Sequence, residues 1–167
     1  LCEPEDEEEE DIFECPCAVP HGVAELPVFA LEAGRETVTF GVDSGAAITV
    51  VTPQTAAEYP TVKAVKHRMR DCQGNEVADF GKKELALKGP RRTQFARVTV
   101  APVKRNLLAV SELVKTGHEV VFRRGNCYIK RLSTGEVKQM KESNGCFEVS
   151  YDLQPFVKPP ARGASQA

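Results

Sequence analysis

The chain lacks tryptophan and has only three tyrosines and three histidines among its 167 residues. So few large rings argue against an aromatic-lined binding surface. No apolar run approaches the roughly 18 residues that a membrane-spanning helix needs. No charged-then-apolar secretory leader opens the sequence either, so no membrane partner is expected. The histidines (His21, His67, His118) are scattered, and Cys15-Pro16-Cys17 is a closely spaced pair with no second pair to match it. A structural zinc site takes about four ligands, commonly as two such pairs, so the sequence points to no metal and no cofactor. The first residue is Leu1 rather than Met, which fits a piece of a longer chain.

Six cysteines are present: Cys2, Cys15, Cys17, Cys72, Cys127 and Cys146. An even number would suit three disulfides in a secreted protein. With no secretory leader, they read instead as free thiols in a reducing compartment. The expected location is intracellular, either cytoplasmic or in particles.

The net charge of −2 hides an asymmetry. Residues 1–14 hold nine acids and no base, which leaves 24 − 9 = 15 acids against 22 bases, or +7, for the remainder. Residues 1–22 therefore read as an acidic, disordered leader. Residues 82–131 carry 13 bases against three acids. That stretch has no stacking aromatics or nucleic-acid signature, so a solvated basic face is the plainer reading.

Apolar content of 41% is enough for one core. Residues 26–32 and 36–42 read as a hairpin of strands around Ala33-Gly34-Arg35, and residues 47–51 as a third strand. Thr52-Pro53 signals a short helix, with Thr52 as N-cap and Pro53 at its first position, stopped before Pro60. Residues 62–69 and 76–80 form a second expected hairpin around Cys72-Gln73-Gly74-Asn75. Strands follow at 84–87 and 95–103, then the apolar run Asn106-Leu107-Leu108-Ala109-Val110. A short helix is expected from an N-cap at Ser111 to a terminating Gly117. Four further strands, 119–123, 127–132, 136–140 and 146–152, are separated by Gly125-Asn126, Thr134-Gly135 and Asn144-Gly145. The class is all-β with one or two short helices, arranged as a small barrel or sandwich. A disordered tail is expected over 155–167.

One turn stands out. In Phe40-Gly41-Val42-Asp43-Ser44-Gly45-Ala46-Ala47-Ile48 a carboxylate sits at the mouth of a small-residue turn between two strands that read as buried. Asp, Ser and Gly make turns, but a carboxylate there is costly unless it is used.

Three segments in order give this chain a resemblance to the retropepsin-like aspartic protease of copia-type retrotransposon Gag–Pol polyproteins. Val42-Asp43-Ser44-Gly45-Ala46 resembles the family's catalytic motif. Asn106-Leu107-Leu108-Ala109-Val110-Ser111-Glu112-Leu113 resembles its Asn-Leu-Leu-Ser-Val-Ser-x-Leu segment, with Ala109 where the wider retropepsin pattern has Gly. Gly117-His118-Glu119-Val120-Val121-Phe122 with Cys127-Tyr128-Ile129 is similar to the strand pair that follows. Thr134-Gly135-Glu136-Val137 and Asn144-Gly145-Cys146-Phe147-Glu148-Val149 look like the start of a pre-integrase segment.

The resemblance implies a closed retropepsin barrel over 23–124 and a hairpin extension over 125–154. It also implies a catalytic turn of Asp43, Ser44 and Gly45, with Leu107, Leu108 and Ala109 packed behind it. Ala46 would face substrate, and the hairpin tip at Asp71, Gln73, Gly74 and Asn75 would be a flap. A plain surface hairpin is the alternative for the tip, and an ordinary turn serine the alternative for Ser44.

Aspartic catalysis needs a carboxylate and a carboxylic acid sharing a proton. The chain has one Asp-Ser-Gly triplet, so the second aspartate is expected from another copy across a two-fold axis. Asp152 is the internal alternative, while Asp71 and Asp79 read as turn and solvent-facing residues. The implied activity is homodimeric endopeptidase action on the parent polyprotein, with nucleic acid a partner only through that polyprotein. The competing reading is an inactive retropepsin-like interaction module.

Overall fold

A computed structural model describes residues 36–63 and 66–157. The acidic leader, Cys2, Cys15, Cys17, the expected strand at 26–32 and most of the tail lie outside these residues.

Strand β1 (Thr37–Asp43) alternates exposed and buried positions until both faces are covered, and so places Val38 and Phe40 in the core. Its neighbour in sequence, β2 (Val50–Val51), is not its neighbour in space. Between them lies β7 (Leu107–Ala109), parallel to β1 with Gly41, Val42 and Asp43 opposite Leu107, Leu108 and Ala109, and antiparallel to β2.

β6 (Thr93–Val100) runs parallel to β2 and antiparallel to β5 (Gly81–Lys88). On the far side of β1 comes β12 (Cys146–Asp152), then β11 (Lys141–Ser143). The seven strands thus run β11-β12-β1-β7-β2-β6-β5. β8 (His118–Val121), β9 (Tyr128–Arg131) and β10 (Val137–Gln139) form a three-stranded meander, and β3 (Met69–Arg70) pairs with β4 (Glu76–Val77). Helix α1 (Val110–Lys115) follows β7 without a break.

The main core gathers Val38, Phe40, Val51, Leu85, Val98, Ile129 and Val149. Along β5 the burial alternates with the pleat, bringing in Leu85 and Leu87 and also Lys83. The Lys83 ammonium, 3% exposed, donates to the Thr55 and Ala56 carbonyls at 2.8 and 3.0 Å. Burial lowers its pKa, because desolvation penalises the charged form. A second cluster of Val50, Met69 and Ala101 joins Ile48, Val77 and Leu107.

The expected all-β class holds. The sheet curls until Leu87 bridges Leu153 and the Gln154 N–H donates to the Ala86 carbonyl at 2.8 Å. No ladder closes it into a barrel among the described residues. The expected boundary at 124/125 falls inside the β8–β9 hairpin, and β12 pairs with β1 over five residues from Thr37↔Asp152 to Gly41↔Glu148.

Several local expectations are corrected. Residues 53–58 form successive turns, not a helix: Thr55 N–H reaches the Thr52 carbonyl and Tyr59 N–H the Ala56 carbonyl. Ala56 sits at φ 51°, outside right-handed helix, and so short a run does not offset the cost of nucleation. The strand at 47–51 shrinks to Val50–Val51, because residues 47 and 48 prolong the bend that begins at Ser44.

The hairpin strands at 62–69 and 76–80 are likewise shorter, with residues 64 and 65 outside the described set. Ser111 is not the helix cap. That position is Ala109, with no side-chain cap bond, and the Ser111 hydroxyl is engaged elsewhere. β11 was not expected. Its Lys141-Glu142-Ser143 shows no apolar alternation and is strand because the Asn144-Gly145 turn folds it onto β12, with φ of 51° and 75° as a type I′ turn requires.

Candidate active site

The turn that leaves β1 is tied from three sides. Asp43 is half-buried at the end of the strand, and its Oδ1 accepts the Gly45 N–H at 2.7 Å. Ser44 is exposed. Ala46, expected to face substrate, is turned inward in the single chain at 5% exposure. The Ser111 hydroxyl lies within bonding distance of the Ala46 and Ala47 carbonyls, at 3.3 and 3.2 Å, anchoring the turn to α1.

Beyond the turn, Thr49 is 4% exposed. Its N–H donates to Glu112 Oε2 at 2.9 Å, and its Oγ1 accepts the Ala109 N–H at 3.1 Å. The residues expected behind the turn are there. Ala109 lies opposite Asp43 and is fully buried, Leu108 packs on the main core, and Leu107 packs on the second cluster.

Asn106 is a further support. Its amide Oδ1 accepts the Thr52 N–H at 2.9 Å and the Thr55 hydroxyl at 2.8 Å, while Nδ2 donates to the Thr39 carbonyl at 3.1 Å. One side chain therefore joins β1 to the segment after β2. Its sequence signal was only its place at the head of the Asn-Leu-Leu run.

Arg105 was missed by sequence reasoning. Its guanidinium lies over β1 beside Gly41, where an added Cβ would be in ordinary contact, 3.6 Å from the Arg105 Cζ. Nη1 donates to Cys146 Sγ at 3.4 Å. The Cys146 sulfur first, then the Asp43 and Glu148 carboxylates, raise the pKa of Arg105. Asp43, Arg105, Cys146 and Glu148 thus make a charged margin beside the turn.

The hairpin tip is closed on itself. Asp71 Oδ1 accepts the Gln73 and Asn75 N–H groups at 2.9 and 2.8 Å, and Oδ2 accepts Asn75 Nδ2 at 3.0 Å. The Asn75 side chain, then its backbone, lowers the Asp71 pKa. Gly74 takes φ 84°, which a side chain would resist. The hairpin's base brings Met69 and Val77 against Val50 and Ile48, just after the Asp43 turn. Asp79 is not merely solvent-facing: it is half-buried and accepts the His67 and Gly81 N–H groups at 3.0 and 2.8 Å.

Asp152 is placed away from Asp43. It pairs with Thr37 at the opposite end of β1 and accepts that residue's hydroxyl at 3.0 Å. Thr37 and Asp43 are the two ends of β1, six steps apart and so roughly 20 Å at about 3.3 Å per residue. The two carboxylates cannot share a proton within one chain.

Among the described residues no cluster of three or more His, Cys, Asp or Glu is arranged to hold a metal, and no helix is long and apolar enough to cross a membrane. Cys72, Cys127 and Cys146 are free thiols. The chain matches no family model, no curated protein and no solved structure.

Proposed function

We propose that this chain is a retropepsin-type aspartic endopeptidase, active as a homodimer on the polyprotein of a retroelement. One observation carries the reading. The turn bearing Asp43 connects two strands that do not pair, and β7 is inserted between them, so the carboxylate is held at a strand end by a neighbour that arrives from far along the chain.

The remoteness of Asp152 supports a second Asp43 from another copy as the partner, across a two-fold axis. Two carboxylates within hydrogen-bond range titrate as a pair, one ionised and one protonated. The ionised Asp43 would take a proton from a water between them. The water oxygen then bonds to the scissile carbonyl carbon, whose oxygen is polarised by the protonated Asp43. Collapse of the tetrahedral adduct breaks the C–N bond, and a carboxyl proton passes to the leaving amine.

In this reading the Gly45 N–H orients the carboxylate, Ser44 meets the partner's turn, and the tip of Asp71, Gln73, Gly74 and Asn75 closes over substrate and excludes water. An extended peptide would lie in the cleft by strand-like pairing. A closed retropepsin barrel belongs to the same proposal.

The test is peptide cleavage by the full chain across a mixed substrate library, with sedimentation run alongside. Wild-type protein should cleave, be blocked by pepstatin and sediment as a dimer at the active concentration. Asp43→Asn should lose cleavage while keeping the circular dichroism of the fold. A strictly monomeric chain, or cleavage that survives Asp43→Asn, would overturn the proposal.

A further inference from the structure

The loop between β8 and β9 borders a recess of about 440 Å³, whose lining is completed by Met140, Glu142 and Phe147. The volume falls in the range of small-molecule sites. Its apolar part is aromatic. Phe122 and Phe147 meet with ring centres 5.2 Å apart and planes tilted by 59°. Phe122 nonetheless stays 46% exposed, so part of its ring faces solvent as a platform for another planar ring. Phe147 comes from outside the basic stretch 82–131, and the pair is therefore not visible in the sequence.

The loop fixes two arginines beside these rings. Cys127 Sγ accepts the Arg123 N–H at 3.3 Å and donates to the Arg123 carbonyl at 3.2 Å. The Asn126 N–H donates to the same carbonyl at 3.0 Å, and Gly125 takes φ 75° in the turn. Arg123 and Arg124 are exposed, and among the described residues neither guanidinium has a hydrogen bond or an ion pair. Glu142, the one acid in the lining, is paired with neither of them.

Adjacent cations on a tight turn repel each other, and an anion between them relieves the repulsion. The planar guanidinium fork matches phosphate oxygens bidentately. A flat ring for Phe122 and a phosphate for the arginines are the two halves of a nucleotide.

We propose that this recess binds an unpaired nucleotide, free or within a single strand, its base stacked on Phe122 and its phosphate held by Arg123 and Arg124. Asp43 is not in the lining, and the site does not depend on the proteolytic reading.

The probes are a labelled oligoadenylate of about 12 nucleotides, a labelled RNA duplex of the same length, and AMP. The first two are read by anisotropy with the full chain, and AMP is titrated by calorimetry. Saturable strand binding is expected, with Kd of about 10–100 µM in low salt and the duplex at least about fivefold weaker. Surface charge alone would favour the duplex, which carries more phosphate per unit length. Phe122→Leu keeps an apolar side chain without the ring face and should weaken binding about tenfold. Arg123→Gln combined with Arg124→Gln should reduce the slope of log K against log salt by about 1.4, at about 0.7 per phosphate contact. AMP bound as tightly as the strand assigns the site to the free nucleotide, and weaker AMP binding assigns it to the strand. Absence of saturable binding by both, or a duplex bound as tightly as the strand, would overturn the proposal. So would unchanged binding in a Phe122→Leu protein that keeps its circular dichroism, or an unchanged salt slope in the arginine variant.

Discussion

The Glu112 carboxylate accepts the backbone N–H of Thr49 at 2.9 Å, joining the first turn of α1 to the far end of the Asp43 turn. Thr49 is 4% exposed, so this N–H has no ready access to water when its partner is removed. A buried donor left without an acceptor costs about 1–3 kcal/mol. Glu112→Ala should therefore lower Tm by several degrees. Glu112→Gln keeps a carbonyl acceptor at the same reach and should lose less than half as much. Thermal unfolding of the two variants, followed by circular dichroism, makes the comparison; equal losses would show that the bond itself contributes little.

Gly81 has no tolerance for a side chain. It opens β5 at φ 127°, and an added Cβ would lie 2.6 Å from the Val62 carbonyl oxygen. That oxygen is fixed, because Val62 and Lys82 exchange reciprocal backbone bonds at 2.8 Å. The positive φ alone costs about 1–2 kcal/mol for an L-residue, and relieving the overlap means giving up the bridge. Gly81→Ala should destabilise by about 3 kcal/mol or more in urea unfolding. Gly125→Ala is the control: it shares a positive φ of 75° but has nothing within 4 Å of the added Cβ, so it should lose only the conformational part.

The elements that local chemistry decides were readable in the chain, and those decided by distant partners were not. Asn144-Gly145 marks its turn because both residues accept positive φ, Gly135 does the same after Thr134, and Gly117 ends α1 at φ 78° for that reason. Residues 36–42 and 146–152 read as strands from their apolar spacing, but nothing local says that they pair with each other. The insertion of β7 between β1 and β2 is a long-range fact as well. The Thr52-Pro53 helix signal fails at Ala56, whose φ of 51° ends the right-handed run after one turn. Lys83 looks like a solvated base in sequence, yet the pleat turns it into the core, where the Thr55 and Ala56 carbonyls receive it. At the candidate site, Asp43 and the Leu107-Leu108-Ala109 support were legible. Arg105 was not, since its partner Cys146 is brought there by the pairing of β12 with β1, which nothing local announces.

Tyr151 gives the fold a defined alkaline weakness. Burial pushes its phenol from 10.0 up to about 12, because the phenolate loses hydration beside Phe40. A folded pKa above the unfolded one contributes stability that is fully present below pH 10, then is lost as the pH rises from 10 towards 12. Two units correspond to about 2.7 kcal/mol, and the solvent still reaching this half-buried ring reduces that to about 1–2 kcal/mol. Lys83 acts in the opposite direction over the alkaline range, since its lowered pKa makes stability rise with pH up to its unfolded value. Tyr59, also raised by burial, adds to the loss. Only the difference between wild type and Tyr151→Phe isolates the one group. Urea unfolding at pH 9 and pH 11.5 should show wild type losing about 1–2 kcal/mol more than Tyr151→Phe over that interval. Parallel losses in the two proteins would mean that the phenolate is accommodated in the fold.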